Sequence, residues 1–105
     1  MTEAVIVLTT VGASFDAKPL ARELVERRLC ACVNILPRVE SIYAWEGNLT
    51  EDAEQLLIIK TVAERVDELR DRVLALHPYD VPEFLVLDIA GISGPYREWL
   101  LGAVS

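Results

Sequence analysis

The side chains able to do chemistry gather in a few short stretches. His77 is the only histidine among 105 residues, and it stands directly before Pro78. An imidazole there can cap a helix C-terminus, where the dipole favours it, or it can ligate a metal or move a proton. Asp80 and Glu83 follow on a segment stiffened by Pro78 and Pro82. They read as solvated turn carboxylates, the common fate of such groups, or Glu83 joins His77 as a rigid pair of hard ligands. Cys30 and Cys32 lie two apart, either as small buried hydrophobes or as donors to a soft ion such as Cu(I). On one extended strand their Cα atoms would be about 6.5–7 Å apart, the outer limit of a disulfide. Reduced thiols, as in the cytosol, are the expectation.

Lys60, at the end of an apolar run, is a candidate for an ion pair in a cleft, and Glu46 is a turn carboxylate flanking a potential site. Tyr43, Trp45, Tyr79 and Trp99 are large amphipathic rings that suit interfaces better than a cofactor box. Gly91-Ile-Ser-Gly94 opens no βαβ unit and is no dinucleotide fingerprint. With no P-loop, nucleophile elbow or H-E-x-x-H pattern, the chain reads as a binding protein and not an enzyme.

Positioning these groups requires an alternation of strands and helices. Ala4 to Leu8 is a wholly apolar run, predicted as a central strand buried on both faces; Val11 to Ser14 turns the chain. Leu20, Ala21, Leu24 and Val25 recur at helical spacing after Pro19, with Arg27 and Arg28 closing that helix. Leu29 to Leu36 is the next strand, and Pro37 marks a bulge or an edge. Gln55 to Ile59 is another buried strand. Thr61 and Glu64 have the spacing of a capping box, ahead of Val66, Leu69, Val73 and Leu76 on one helical face. His77-Pro78 stops that helix. Phe84 to Leu87 is the fourth core strand, and Pro95 to Leu101 a short final helix. The order β-α-β-β-α-β plus a tail is the split βαβ, ferredoxin-like arrangement, an α+β two-layer sandwich. It forms one domain over residues 1–105 with no helices on its second face.

One stretch outgrows this plan. Cys32 to Trp45, counted as continuously extended, is a ribbon of roughly 45 Å. A compact chain of this size has a diameter of only about 30–35 Å. The overhang carries Val39, Ile42, Tyr43 and Trp45, with Leu49 past the turn at Glu46-Gly47-Asn48. An apolar edge of that length invites pairing with other chains, so an obligate oligomer is expected. The 52% hydrophobic content and mean hydropathy of +0.30 fit that expectation. The net charge of −7 argues against nucleic acid. No apolar run approaches the ~18 residues of a membrane span, and Met1-Thr2-Glu3 lacks a secretory n-region, so a cytoplasmic location is expected.

Three blocks then carry a family likeness: Arg28-Leu-Cys-Ala-Cys-Val-Asn-Ile-Leu-Pro37, Ser41-Ile-Tyr-Ala-Trp-Glu-Gly47 and Leu76-His-Pro-Tyr-Asp-Val-Pro-Glu83. Glu54 to Thr61 links them and Tyr96-Arg-Glu-Trp-Leu100 closes the series. In these blocks, from Val5 to Leu101, the chain resembles the CutA divalent-cation tolerance family. The resemblance implies a tight homotrimer with a long hairpin reaching a neighbouring subunit, similar to the trimeric PII signal proteins. It also implies tolerance to copper and other divalent ions, with no obligatory cofactor. His77 and Cys32 match the family's histidine and cysteine. Thr9 stands at the first-strand cysteine of some bacterial members, and Leu76 where a second histidine sometimes precedes the first. Cys30 replaces a common alanine and Ala44 a usual aromatic. Metal binding through His77, Cys32 and Glu83, at clefts that Lys60, Tyr79, Trp45 and Glu46 help to line, is the first expectation. A PII-like scaffold holding a small anion or a partner protein between subunits is the second.

Overall fold

Every second residue of the first strand turns toward two helices. β1 (Ala4–Gly12) buries Val5, Val7, Thr9 and Val11, while Ile6, Leu8 and Thr10 remain partly exposed. That is the period-2 signature of a sheet covered on one face, not of the strand buried on both sides that its unbroken apolar start predicts. The computed structural model describes residues 3–105. After β1 come α1 (Lys18–Glu26), β2 (Cys32–Trp45) and β3 (Asn48–Val62). A short 3-10 turn (Ala63–Arg65) leads into α2 (Val66–Leu76), β4 (Leu85–Asp88) and α3 (Gly94–Val104). The sheet has the order β2-β3-β1-β4 with antiparallel neighbours throughout. This is the α+β, ferredoxin-like arrangement that the element order predicts.

The helices explain which face is filled. Leu20 and Leu24 on α1 and Leu69 and Val73 on α2 recur at i, i+4, so each helix turns one apolar stripe to the sheet. They meet Val7, Val11, Leu57 and Ile59 in a core whose central side chains are fully buried. A second cluster joins Leu100 and Val104 of α3 to Ala4, Ala31 and Val62. Ala4 and Val62 are cross-strand partners, three positions from the core residues Val7 and Ile59, and so on the opposite face. The final helix therefore covers one end of the face expected to be bare. Arg65 holds it there, donating from Nε (3.1 Å) and Nη2 (2.8 Å) to the Val104 carbonyl.

Several local expectations are corrected. Thr61 and Glu64 form no capping box: neither the 3-10 turn nor α2 has a side-chain cap. Thr61 belongs to β3, where its hydroxyl donates to the buried Leu29 carbonyl at 2.8 Å; a threonine facing an orphan carbonyl is worth more there than at a surface cap. Leu29 to Ala31 precede β2 and do not belong to it. Arg28 takes a left-handed φ of 58° and ends α1 with a Schellman pattern, Leu29 N–H reaching the Leu24 carbonyl. β1 runs through the predicted turn to Gly12, because Gln55 Nε2 donates to the carbonyls of Gly12 and Phe15 and fixes the loop beyond it. β4 is not a core strand: it pairs with β1 alone and all four residues are exposed. The final helix is longer than foreseen and ends at Val104.

The arm is as long as the count requires. β2 and β3 stay paired out to Trp45↔Asn48, closed by Glu46 and Gly47 at φ 50° and 80°. Two successive positive φ values make a type I′ turn, whose twist matches the strands. The ladder slips between Leu36 and Val39, so Pro37, unable to donate, sits in a bulge on an edge strand as predicted. The longest dimension is 45 Å and the radius of gyration 14.4 Å, above the ~13 Å of a compact 100-residue chain.

A carboxylate-lined cleft at the root of the arm

The cleft forms where the α2–β4 connector passes the base of the arm. His77 ends α2 with extended backbone and a last N–H bond to the Val73 carbonyl, as a residue before proline must. Its ring is fixed from both sides. Nε2 donates to the Thr10 carbonyl at 2.8 Å, and Nδ1 accepts from the Tyr79 N–H at 3.1 Å. Both nitrogens are used within the chain, and burial lowers the imidazole's pKa against the opposing pull of the Thr10 carbonyl and the Glu54 charge. His77 thus positions the connector: it ties Tyr79 to β1.

Tyr79, 4.9 Å from the His77 ring, donates its hydroxyl to Glu54 at 2.8 Å. Glu54 is only 7% exposed, a rare place for a carboxylate without a cation. Burial and the Glu54 partnership together raise the phenol's pKa. Tyr43 donates likewise to Asp52 at 2.5 Å. The I′ turn fixes that pair, because Tyr43 stands opposite Thr50 and Asp52 is its diagonal neighbour on the same face. The Glu83 backbone carbonyl accepts from the Thr9 hydroxyl at 2.6 Å, which anchors the connector's end. The Glu83 carboxyl has no hydrogen bond or ion pair among the described residues, and its pKa is raised first by burial and then by the Glu54 charge.

Between connector and arm these groups border an open cleft of about 760 Å³. Asp52, Glu54, Asp80 and Glu83 bring the acid; Tyr43, Trp45, Tyr79, Ile42 and Val81 bring rings and apolar wall. Among the described residues no lysine or arginine lines it. Tyr79, Trp45 and Glu83 are therefore brought together, with His77 behind them. Glu46 sits exposed at the arm's tip. Lys60 lies elsewhere, its ammonium 5.8 Å from the centre of the Tyr96 ring of α3. Cys32 pairs with Lys60, which pairs with Ile6. It lies four residues along β1 from Thr10 and two strands away, roughly 13 Å by 10 Å from His77's anchor. Its thiol faces Asn34 Oδ1 at 3.7 Å. Cys30 is fully buried in the core, and burial pushes its thiol up to about 12. Among the described residues no three His, Cys, Asp or Glu side chains converge to coordinate one ion. Glu54 and Asp52 were not foreseen as site residues. The available signal was register: a two-residue turn sets which acids of β3 share a face with Tyr43.

The comparisons with known proteins agree with the fold. The model of the family described as CutA1 divalent ion tolerance protein matches residues 5–103. The divalent-cation tolerance protein CutA of Thermus thermophilus is 48% identical over 95 residues, covering 90% of this chain and 92% of that protein. A chloroplastic protein CutA of Arabidopsis thaliana is 46% identical over 97 residues, covering 92% of this chain and 53% of the relative. Among solved structures, CutA from Synechococcus elongatus superimposes with a TM-score of 0.94 at 37% identity, covering all of this chain and 93% of that one. The chain belongs to the CutA1 divalent ion tolerance family.

Proposed function

We propose that this chain is a cytoplasmic homotrimer that supports divalent-cation tolerance by binding, without catalysis, copper or another divalent metal at clefts near its subunit boundaries. The observation that carries the reading is the cleft itself, with four carboxylates and, among the described residues, no basic side chain along its wall. Its interior favours cations and disfavours the small anion of a PII-like scaffold. Glu83, without a partner among the described residues and beside buried Glu54, is the first ligand, and Tyr79 and Trp45 shape the wall. His77 joins through Nδ1 only where the Tyr79 N–H releases it, and Cys32 only from a neighbouring subunit. One chain offers an incomplete donor set, which suits weak binding completed by water or by a second copy. Assembly is supported by the exposed apolar residues Leu85, Val86 and Leu87 on β4 and Ile42 and Leu49 on the arm. The cytoplasmic placement is supported by two free cysteines.

Calorimetric titration with Cu(II) and Zn(II) tests the metal site. Glu83→Gln is expected to weaken binding at least about tenfold, and His77→Ala to weaken it less, through loss of Tyr79 positioning. Superimposable isotherms for wild type and Glu83→Gln would take Glu83, and with it this cleft, out of the reading.

A further inference from the structure

A bare metal ion is small for this cleft. A hard divalent ion such as Mg²⁺ or Ca²⁺ wants about six or more oxygen ligands within about 2.0–2.6 Å, and Zn²⁺ still wants about four donors, whereas the cleft spans about 760 Å³ and gathers no coordinating trio among the described residues. That volume falls in the range of small organic ligands, about 300–1,000 Å³. The wall is amphipathic as well as acidic: the rings of Trp45, Tyr43 and Tyr79 stand beside the carboxylates, and Trp45 is 49% exposed. Carboxylates next to ring faces are the chemistry that recognises alkylammonium ions. The ammonium N–H groups bond the oxygens, and the charge and its neighbouring methylenes lie over the rings.

The spacing suggests two charges. Asp52 and Glu54 are two residues apart on β3, about 7 Å along an extended strand. Each accepts one phenol hydroxyl and keeps further lone pairs for a second donor. Glu83 supplies a third carboxylate with no partner of its own among the described residues. A single ammonium would leave most of this charge unmatched.

We propose that the cleft binds an α,ω-diammonium ligand, a short aliphatic diamine whose charged ends pair with carboxylates and whose methylene chain rests on the aromatic wall. Both amines of such a molecule are protonated at neutral pH, as a lysine is, so it is itself a divalent cation. The inference rests on reading the cleft as a cation site and names a class of cation that its shape and rings fit.

The test is calorimetric titration of the full chain with 1,4-diaminobutane and with 1-aminobutane, at an ionic strength of about 0.15 M. Zinc is titrated in parallel. The diamine is expected to bind at least about tenfold more tightly than the monoamine. Glu83→Gln and the exposed-site variant Trp45→Leu should each weaken it severalfold. Asp71→Asn, which removes the same charge from α2 far from the cleft, should leave the diamine isotherm unchanged. Equal affinity for diamine and monoamine would overturn the proposal, as would a loss in Asp71→Asn matching that in Glu83→Gln, since either marks binding to bulk charge. Zinc binding without diamine binding sinks the diamine and spares the cation cleft. Silence from both removes the cleft altogether.

Discussion

The two ends of this sheet are finished differently. Near β1 and the inner half of β3, the faces of Leu57 and Ile59 are sealed by α1 and α2, and no fully buried side chain there lacks a partner surface. On the arm and β4 the same strand chemistry ends in water: Ile42, Leu49, Leu85 and Val86 are exposed although they are as apolar as the core. One region is covered within the chain and the other is left exposed. The contrast teaches that apolar content in this sequence serves two purposes, and that local pattern alone does not say which residue serves which.

The largest effect that could break the contrast lies in the sealed region. Leu69→Ala, at a fully buried position, is expected to cost about 2–5 kcal/mol in urea unfolding, whereas Leu49→Ala on the arm should stay within about 0.5 kcal/mol of wild type when the chain is held dissociated. Comparable losses at both positions would erase the distinction between the regions. Thr61→Val keeps the shape of a buried site but strands the Leu29 carbonyl that its hydroxyl serves. A loss of about 1–3 kcal/mol follows, and a neutral result would mean the Thr61 hydroxyl contributes nothing by its bond to the Leu29 carbonyl.

The lone imidazole sharpens the view of the cleft. Burial lowers the pKa of His77 in the folded state, so as pH falls the unfolded chain takes up this proton first. The stability that neutral His77 contributes is full above the ordinary imidazole range near 6.5. It is lost progressively as pH falls below that range toward the folded-state value. A proton NMR titration of the single histidine should give a midpoint below about 6.5, and His77→Gln should flatten this part of the pH dependence of unfolding. A midpoint at or above the ordinary value would mean the ring is not buried as placed. The smallest effect is at the arm's tip, where Glu46 occupies a left-handed φ of 50°. Glu46→Asn creates the preferred Asn-Gly I′ pair and should stabilise the hairpin by about 0.5–1 kcal/mol, read as a small rise in Tm.

Much of the fold was legible because it rests on counting. Helical spacing located α1 and α2, the chain length of Cys32 to Trp45 required an arm, and Pro37 announced its bulge. β4 misled because an apolar tetrapeptide reads the same whether a helix covers it or nothing in the chain does. Thr61 misled because a capping-box spacing also occurs where a strand hydroxyl finds a distant carbonyl, a contact 32 residues away in sequence. The site was half legible. His77, Tyr79, Trp45 and Glu83 were singled out by residue type, yet the acid that Tyr79 binds, Glu54, depends on hairpin register and on how the connector crosses β1. Lys60 and Cys32 looked eligible by type and lie on another part of the sheet.

The proposal that other copies cover the exposed half is tested most directly by sedimentation of the wild-type chain at low micromolar concentration. A single species at three times the 11.7 kDa chain mass, dispersed to smaller species by Ile42→Asp or Val86→Asp, is the expected result. A well-behaved monomer at 11.7 kDa would contradict it, because β4 and the arm would then stand uncovered in water.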